Sequence, residues 1–320
     1  MSEDLVRSLT LKQLRALSAV AETGAVSAAA RRLNVTPPAV TMQVQLLEAA
    51  VGLPLIDRTG ERFRPTDAGR ELVEAAARIE TALRECVGAL EAMKGLEGGR
   101  VSVAIVSTAK YFAPMALGAF ARAHPGIDLS LSVGNRAEVI GLLRSDQVDV
   151  AIMGRPPEDL DNVAAIIGEH PQIIIAAPDH ELASRRDIAP SDLSGQTFLM
   201  RERGSGTRLV MERLFEQEGV TPKIGMEIGS NETIKQAVIG GLGLAFISAH
   251  TVAAEIADGR LVQLDVTGLP ILRRWHVVRR AGRRLTPPAA AMAAFLSERG
   301  AEFLPQISPT DGTIPAASTS

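Results

Sequence analysis

Cysteine is nearly absent: Cys86 stands alone in 320 residues, beside one Trp and one Tyr. A single thiol excludes a disulfide framework and any zinc or iron–sulfur site built from several cysteines. Charge of one sign is also scarce. With 34 Lys+Arg against 37 Asp+Glu, the net of −3 gives no whole-chain sign of a nucleic-acid binder. No apolar run is long enough to cross a membrane; the most apolar, residues 237–249, is short and broken by Gly240, Gly241 and Gly243. Residues 1–7 lack the basic-then-apolar layout of a secretory leader. These absences lead to the expectation of a cytoplasmic, reduced protein with no membrane partner. What is present is a 46% hydrophobic composition over a length that exceeds one core, so more than one domain is expected.

The charge is uneven along the chain. Residues 1–66 carry eight Lys/Arg and six Asp/Glu, and residues 67–97 carry four and seven. In the first segment Leu11, Leu14, Leu17 and Ala21 repeat at helical spacing up to Gly24. Ser27 is placed to cap a second short helix, with Ala30 and Leu33 on its buried face and an end near Asn34. Thr36 then precedes Pro37, a cap followed by proline in the first turn, and Val40, Val44, Leu47 and Val51 form the buried stripe of a third helix. Two short helices across a tight turn make a helix-turn-helix. Its outward residues, Pro38, Thr41, Met42 and Gln45, suit base edges in a major groove, and Ser27, Thr36 and Pro37 lie at the helix starts beside them. Residues 58–66 read as a hairpin wing, so Arg31, Arg32, Arg58, Arg62 and Arg64 are candidates for phosphate contacts. The bland reading is a three-helix protein-contact bundle. Turn, cap, proline and wing together favour double-stranded DNA.

Residues 67–97 contain no proline, and Leu72, Ala76, Ile79, Leu83, Cys86, Leu90 and Met93 follow a strict 4-3 spacing. That is a coiled-coil seam on a helix of about 46 Å, read as a homodimer contact against the alternative of a helix packed on its own domain. Cys86 on the seam reads as a small apolar residue, with a redox-sensing interchain disulfide as the alternative. From Arg100 onward, short β-branched runs at 101–106, 127–133, 148–153 and 172–177 alternate with helical stretches, and a second such block runs through 197–248. This predicts a mostly parallel α/β sheet. In such sheets anions sit where helices start beyond strand ends. Four stretches fit: Ser107, Thr108 and Lys110; Asn135 and Arg136; Ser205, Thr207 and Arg208 flanked by Arg201 and Arg203; and Asn231, Glu232 and Thr233. Any one alone is an ordinary capped helix. Their recurrence with four arginines and a lysine points to a small anionic ligand.

The stretches 11–24, 27–41, 52–58 and Thr66-Asp67-Ala68-Gly69 resemble the LysR-type transcriptional regulators, and the likeness extends over nearly the whole chain. One departure stands out: many members place Arg after the Ser/Thr of the recognition helix, where this chain has Met42. The resemblance implies a winged helix-turn-helix domain (1–66), a linker and dimerisation helix (67–97) and an α/β two-lobed, periplasmic-binding-protein-like effector domain (100–304). Its lobes would take in about 100–170 with 269–304 and about 171–268, before a disordered tail (305–320). It also implies homodimers paired into homotetramers and RNA polymerase as a partner. Residues 106–114, 132–136, 151–157, 204–208 and 229–237 further resemble the Calvin-cycle, RuBisCO-operon regulators of that family. That likeness implies activation of carbon-fixation genes in response to a phosphorylated sugar, phosphoenolpyruvate or NADPH. The alternatives of another class, a solute-binding protein or a small-molecule enzyme, find no support. The five histidines lack metal-ligand spacing, residues 204–206 lack the order of a nucleophile elbow, and residues 241–246 read as a close-packed turn. No catalytic residue, metal or cofactor is expected.

Overall fold

The computed structural model describes residues 2–57, 62–93 and 98–306. The chain divides into two compact units, one running to Val87 with Ser145–Gln147, the other from Gly88 onward. In the first, α1 (Ser2–Ser8) precedes α2 (Leu11–Thr23), α3 (Val26–Leu33) and α4 (Pro37–Val51). A reciprocal capping box starts α2: the Gln13 N–H donates to the Thr10 hydroxyl and the Thr10 N–H donates to Gln13 Oε1 at 2.8 Å. Leu14, Leu17 and Val20 of α2 pack against Ala29 and Ala30 of α3 and Val40, Val44 and Leu47 of α4.

Two expected caps differ. The N-cap of α3 is Ala25, and Ser27 lies exposed inside the helix. Starting one residue after Ala25 lets Val26 pack on the core, which outweighs a hydroxyl cap. Thr36 is the N-cap of α4, but its hydroxyl caps nothing. Pro37 and Pro38 supply no N–H, and the Ala39 N–H already donates to the Thr36 carbonyl.

Strands β1 (Ile56–Asp57) and β2 (Arg64–Pro65) pair antiparallel as the base of a wing. Glu48 of α4 holds it, its Oε1 accepting from the N–H groups of Leu55 and Ile56. Thr66 starts α5 (Asp67–Met93) by accepting from the Gly69 N–H and donating to the Pro54 carbonyl. A Cβ at Gly69 would lie 2.0 Å from the Leu55 carbonyl oxygen, so only glycine fits this crossing. The expected end of the helix near Glu97 lies outside the described residues, as do Arg58 at the wing tip and 307–320 of the tail.

In the second unit the order is β3 (Gly99–Val106), α6 (Ala113–Ala123), β4 (Ile127–Gly134), α7 (Arg136–Arg144), β5 (Val150–Met153), β6 (Asn162–Ala176), β7 (Thr197–Arg201) and α8 (Gly206–Gln217). There follow β8 (Lys223–Ile228), α9 (Asn231–Ile239), β9 (Ala245–Ser248), α10 (Ala249–Ala257), β10 (Val262–Gln263), β11 (Ile271–Arg280) and α11 (Pro287–Arg299). Seven of the described strands join in one sheet of order β10-β6-β11-β5-β3-β4, with β9 also on β6; β7 and β8 pair separately. One core forms around Val103, Ile105, Phe112, Phe120, Ile152 and Trp275. A second lobe is built on Ile174, Phe198, Phe215 and Phe246, with Ile173, Ile234 and Ile247 on its other face.

The large sheet is not mostly parallel. Strands β3–β4, β3–β5 and β7–β8 are parallel, whereas β6 and β11 run as a long antiparallel ribbon from residue 162 to 172 against 280 to 271. The first half of β6 escapes sequence reading because it is partly exposed and carries Gly168 and Pro171. The turn at 241–246 is close-packed as expected: the Leu244 N–H donates to the Thr197 carbonyl at 2.8 Å.

Candidate functional site

On the first unit, Pro38, Met42 and Gln45 stand exposed on the outward face of α4. Thr41 is half-buried and its hydroxyl donates to the Pro37 carbonyl, so it offers an acceptor rather than a free donor. Thr36 and Pro37 are exposed at the start of α4, Ser27 in the first turn of α3, and Arg31 and Arg32 in its last turn. Arg32 pairs with Glu22, which reduces the charge it presents. Arg62 and Arg64 are exposed on the wing. Helix face, α3 end and wing thus leave polar and cationic groups open around α4, a groove-reading composition.

The seam on α5 is used in two ways. Leu72 and Ala76 pack into the core of their own unit. Ile79, Leu83, Cys86 and Leu90 are exposed, Leu83 by 38% and Leu90 by 53%, and Val87 lies beside them. The side chain of Met93 lies outside the described residues. The apolar stripe is therefore open to a partner from Ile79 onward.

In the second unit a cleft opens where strand ends and helix starts meet. Its lining comes from both lobes. Ser107 and Thr108 follow β3, Asn135 and Arg136 follow β4, and Gly154 and Arg155 follow β5. Arg201 ends β7, and Ser205, Gly206 and Thr207 start α8. His170 of β6 and Arg273 of β11 complete it. Ser205 is the N-cap of α8 and spends no side-chain bond on capping, so hydroxyls and first-turn N–H groups face the space together.

Among the described residues, four arginines and no acid line this cavity. Arg201 is buried and fixed: it pairs with Glu202, donates to Asn231 Oδ1, and reaches Ser107 Oγ at 3.1 Å across the lobes. Arg155 pairs with Glu158. Arg136 donates to the carbonyls of Arg155 and Pro156, and burial and then the Arg155 charge push it below the ordinary guanidinium range. Arg273 has neither a hydrogen bond nor an ion pair among the described residues. Burial first, then Arg136, Arg155 and Arg213, pull it down to about 10. An unpaired, partly desolvated cation beside like charges is costly and is relieved by an anion.

Several expected residues are not brought here. Lys110 is exposed and lies over the Tyr111 ring at 5.2 Å. Arg203 is exposed in its loop. Arg208 turns along α8, where Glu212 at 2.7 Å and Glu227 at 2.5 Å hold it away from the cavity. Glu232 pairs with Lys235, and the Thr233 N–H donates to the Ser230 cap. Asn231 serves from behind by holding Arg201. Gly154, Arg155, His170 and Arg273 escape the sequence reading. The first two obey the same strand-end rule as Ser107, whereas His170 and Arg273 lie within strands that cross between lobes and carry no local signal.

A chain that carries both a winged helix-turn-helix unit and a two-lobed unit with a cavity of this kind defines a DNA-binding protein that also takes a small molecule. Comparison with known proteins narrows the class. Residues 11–70 match the family described as bacterial regulatory helix-turn-helix protein, lysR family, and residues 94–301 match the LysR substrate binding domain. The chain is 52% identical over 305 residues to the HTH-type transcriptional regulator CbbR of Xanthobacter flavus, covering 95% of this chain and 92% of that one. It is 43% identical over 297 residues to the RuBisCO operon transcriptional regulator of Acidithiobacillus ferrooxidans, covering 93% and 96%. The CcmR regulatory domain of Synechocystis PCC6803, solved in complex with 2-PG, superposes with a TM-score of 0.60 at 39% identity, covering 62% of this chain and 96% of that one. The chain belongs to the LysR family of transcriptional regulators.

Proposed function

We propose that this regulator activates carbon-fixation (RuBisCO) genes in response to a small phosphorylated anion held in the arginine-lined cavity. The observation that carries the effector reading is Arg273, a cation without a partner in a cavity without an acid. The names of the curated relatives support the target genes, and the CcmR complex with 2-PG supports the chemistry of the ligand. In this reading Gln45, Met42, Pro38 and Thr41 meet base edges, and Arg31, Arg32, Arg62 and Arg64 meet phosphates. The open part of the α5 stripe pairs subunits into dimers and tetramers, and RNA polymerase is the partner at the promoter. Binding of the anion draws the lobes together, changes how subunits pack, and resets the spacing of the DNA-reading units. Such coupling requires that the effector bind the two arrangements with different affinity.

A footprinting and bending assay on a carbon-fixation promoter tests this, with phosphoenolpyruvate, a sugar bisphosphate and NADPH added separately. At least one should change the footprint or the bend. An unchanged footprint and bend with all three at saturation overturns the effector reading, and loss of promoter preference over random DNA overturns the target.

A further inference from the structure

His170 lies on β6 with its ring stacked on Trp275 at 3.7 Å between centroids, and it is only 3% exposed. Its Nε2 lies 2.7 Å from Nε2 of Gln172. An amide nitrogen only donates, so the imidazole Nε2 accepts and the ring proton resides on Nδ1. That Nδ1 is buried and has no partner among the described residues, although a buried donor is seldom left unmet. Burial, then the Arg273 and His250 charges, keep the ring far below its ordinary range and therefore neutral.

The orphaned N–H fronts the cavity at one point. A Cβ built on Gly154 would lie 3.0 Å from His170 Nδ1 and 3.8 Å from Nη1 of Arg273. The missing side chain of Gly154 thus keeps open a spot faced by one neutral N–H and one unpaired guanidinium. The wall formed by the rest of the lining is different and draws on both lobes, with the hydroxyls of Ser107 and Thr108 from one and Thr207, the buried Arg201 and the start of α8 from the other. Many donors spread over that wall suit the tetrahedral oxygens of a phosphate. Two donors converging on one point suit the planar oxygens of a carboxylate.

We infer that His170 Nδ1–H and Arg273, across Gly154, grip a carboxylate on the far end of the effector, so that the cavity selects phosphorylated carboxylic acids over phosphates that lack the acid group. This rests on the cavity being the effector site. His170 is then a specificity-determining donor, and its place on a strand shared by both lobes puts the second anchor on the crossover itself.

The test is calorimetric titration of the full chain with phosphoenolpyruvate and, separately, with inorganic phosphate. His170→Phe keeps the ring on Trp275 and removes the donor; it should weaken phosphoenolpyruvate about 10- to 100-fold while inorganic phosphate changes less than about twofold. His170→Asn restores an N–H close to the same place and should return phosphoenolpyruvate to within about threefold of wild type. Gly154→Ala leaves both donors present but fills the point between them, and should repeat the His170→Phe pattern. In unmutated protein the ¹⁵N resonance of His170 Nδ1 should move on adding phosphoenolpyruvate and stay put on adding phosphate; this reading survives even if His170→Phe does not fold. Equal loss of both ligands in the variants, or unaltered phosphoenolpyruvate affinity, overturns the role of His170 and leaves the anion site standing. Failure of unmutated protein to bind either probe overturns the site itself, and this inference with it.

Discussion

Replacing Arg273 by methionine should make the empty protein more stable and reduce what the ligand adds to its stability. Arg273 is held at about 10, well below the range of a free guanidinium, by burial and then by neighbouring arginines. The gap corresponds to about 3 kcal/mol against the charged form. Because the cavity admits water, screening reduces this to about 1–2 kcal/mol. The sign is that of a base with a depressed folded value. The penalty is complete at any pH below about 10 and vanishes only above the range of a free guanidinium, so it is fully present at neutrality. Methionine keeps the apolar stem and removes the charge.

The melting temperature of the second unit should therefore rise by roughly 2–8 °C in Arg273→Met without ligand, at about 2–4 °C per kcal/mol for a unit of this size. With ligand the variant's advantage narrows. An effector at a hundred times its Kd stabilises unmutated protein by about 2.7 kcal/mol. Loss of a charge-assisted contact of roughly 1.5–3 kcal/mol lowers that to about 0.3–1.3 kcal/mol at the same concentration. The assay is thermal denaturation of the full chain at pH 7.5, with and without phosphoenolpyruvate. A variant that melts below unmutated protein when empty, or one that gains as much from ligand, refutes the claim that Arg273 waits unpaired for an anion.

Gln45→Ala should weaken discrimination between operator and random DNA by about 1–3 kcal/mol and leave non-specific affinity nearly unchanged; equal loss on all sequences in a mobility-shift assay would refute direct base reading. Leu83→Glu places a charge on the open part of the α5 stripe and should shift the chain toward monomer in sedimentation equilibrium, while Arg15→Ala, which removes the Arg15–Glu80 pair made within the first unit, should not. Acidification should loosen the second unit. His250 accepts from the indole N–H of Trp275 at 3.1 Å and is held at about 4 by burial, so the unfolded chain binds a proton that the folded chain refuses between pH 6.5 and about 4. Stability should fall by up to about 1.4 kcal/mol per pH unit in that window, and a flat pH profile in urea melts would show that His250 is not held neutral by the fold.

Much of the DNA-reading unit was legible in the sequence because its signals are local. The Gly24 turn, the proline start of α4, and Thr66 with Gly69 each answer to backbone chemistry within a few residues. The exception, Ser27, shows the limit: core packing of Val26 set the helix start two residues earlier than the hydroxyl would have. The cavity was legible only in part. Ser107, Asn135, Arg136, Ser205 and Thr207 follow strands or open helices, and that position is readable. Arg208 has the same local setting, yet two glutamates that are distant or one turn away claim it. His170 and Arg273 meet only because β6 and β11 pair over their length, with residue 170 opposite 273, a register that no local pattern encodes.

The division of the lining between lobes decides what kind of ligand can act as a switch. Moving a two-state protein from 1:99 to 99:1 requires about 5.5 kcal/mol of differential binding. One charge-assisted contact supplies roughly 1.5–3 kcal/mol, so an anion held at a single end falls short. Arg201 and the start of α8 belong to one lobe's strand and helix, while Arg136 and Ser107 belong to the other, and Arg273 with His170 lies on the strands that cross between them. A ligand that reaches the crossover as well as the donors shared by the two lobes collects two or three such contacts, enough to reach the threshold. Inorganic phosphate should therefore bind without altering the DNA footprint, whereas a molecule with a second acidic group should bind and alter it. If saturating inorganic phosphate alone shifted the footprint as far as phosphoenolpyruvate does, the energy of switching would reside at one wall, and the crossover contacts would be dispensable.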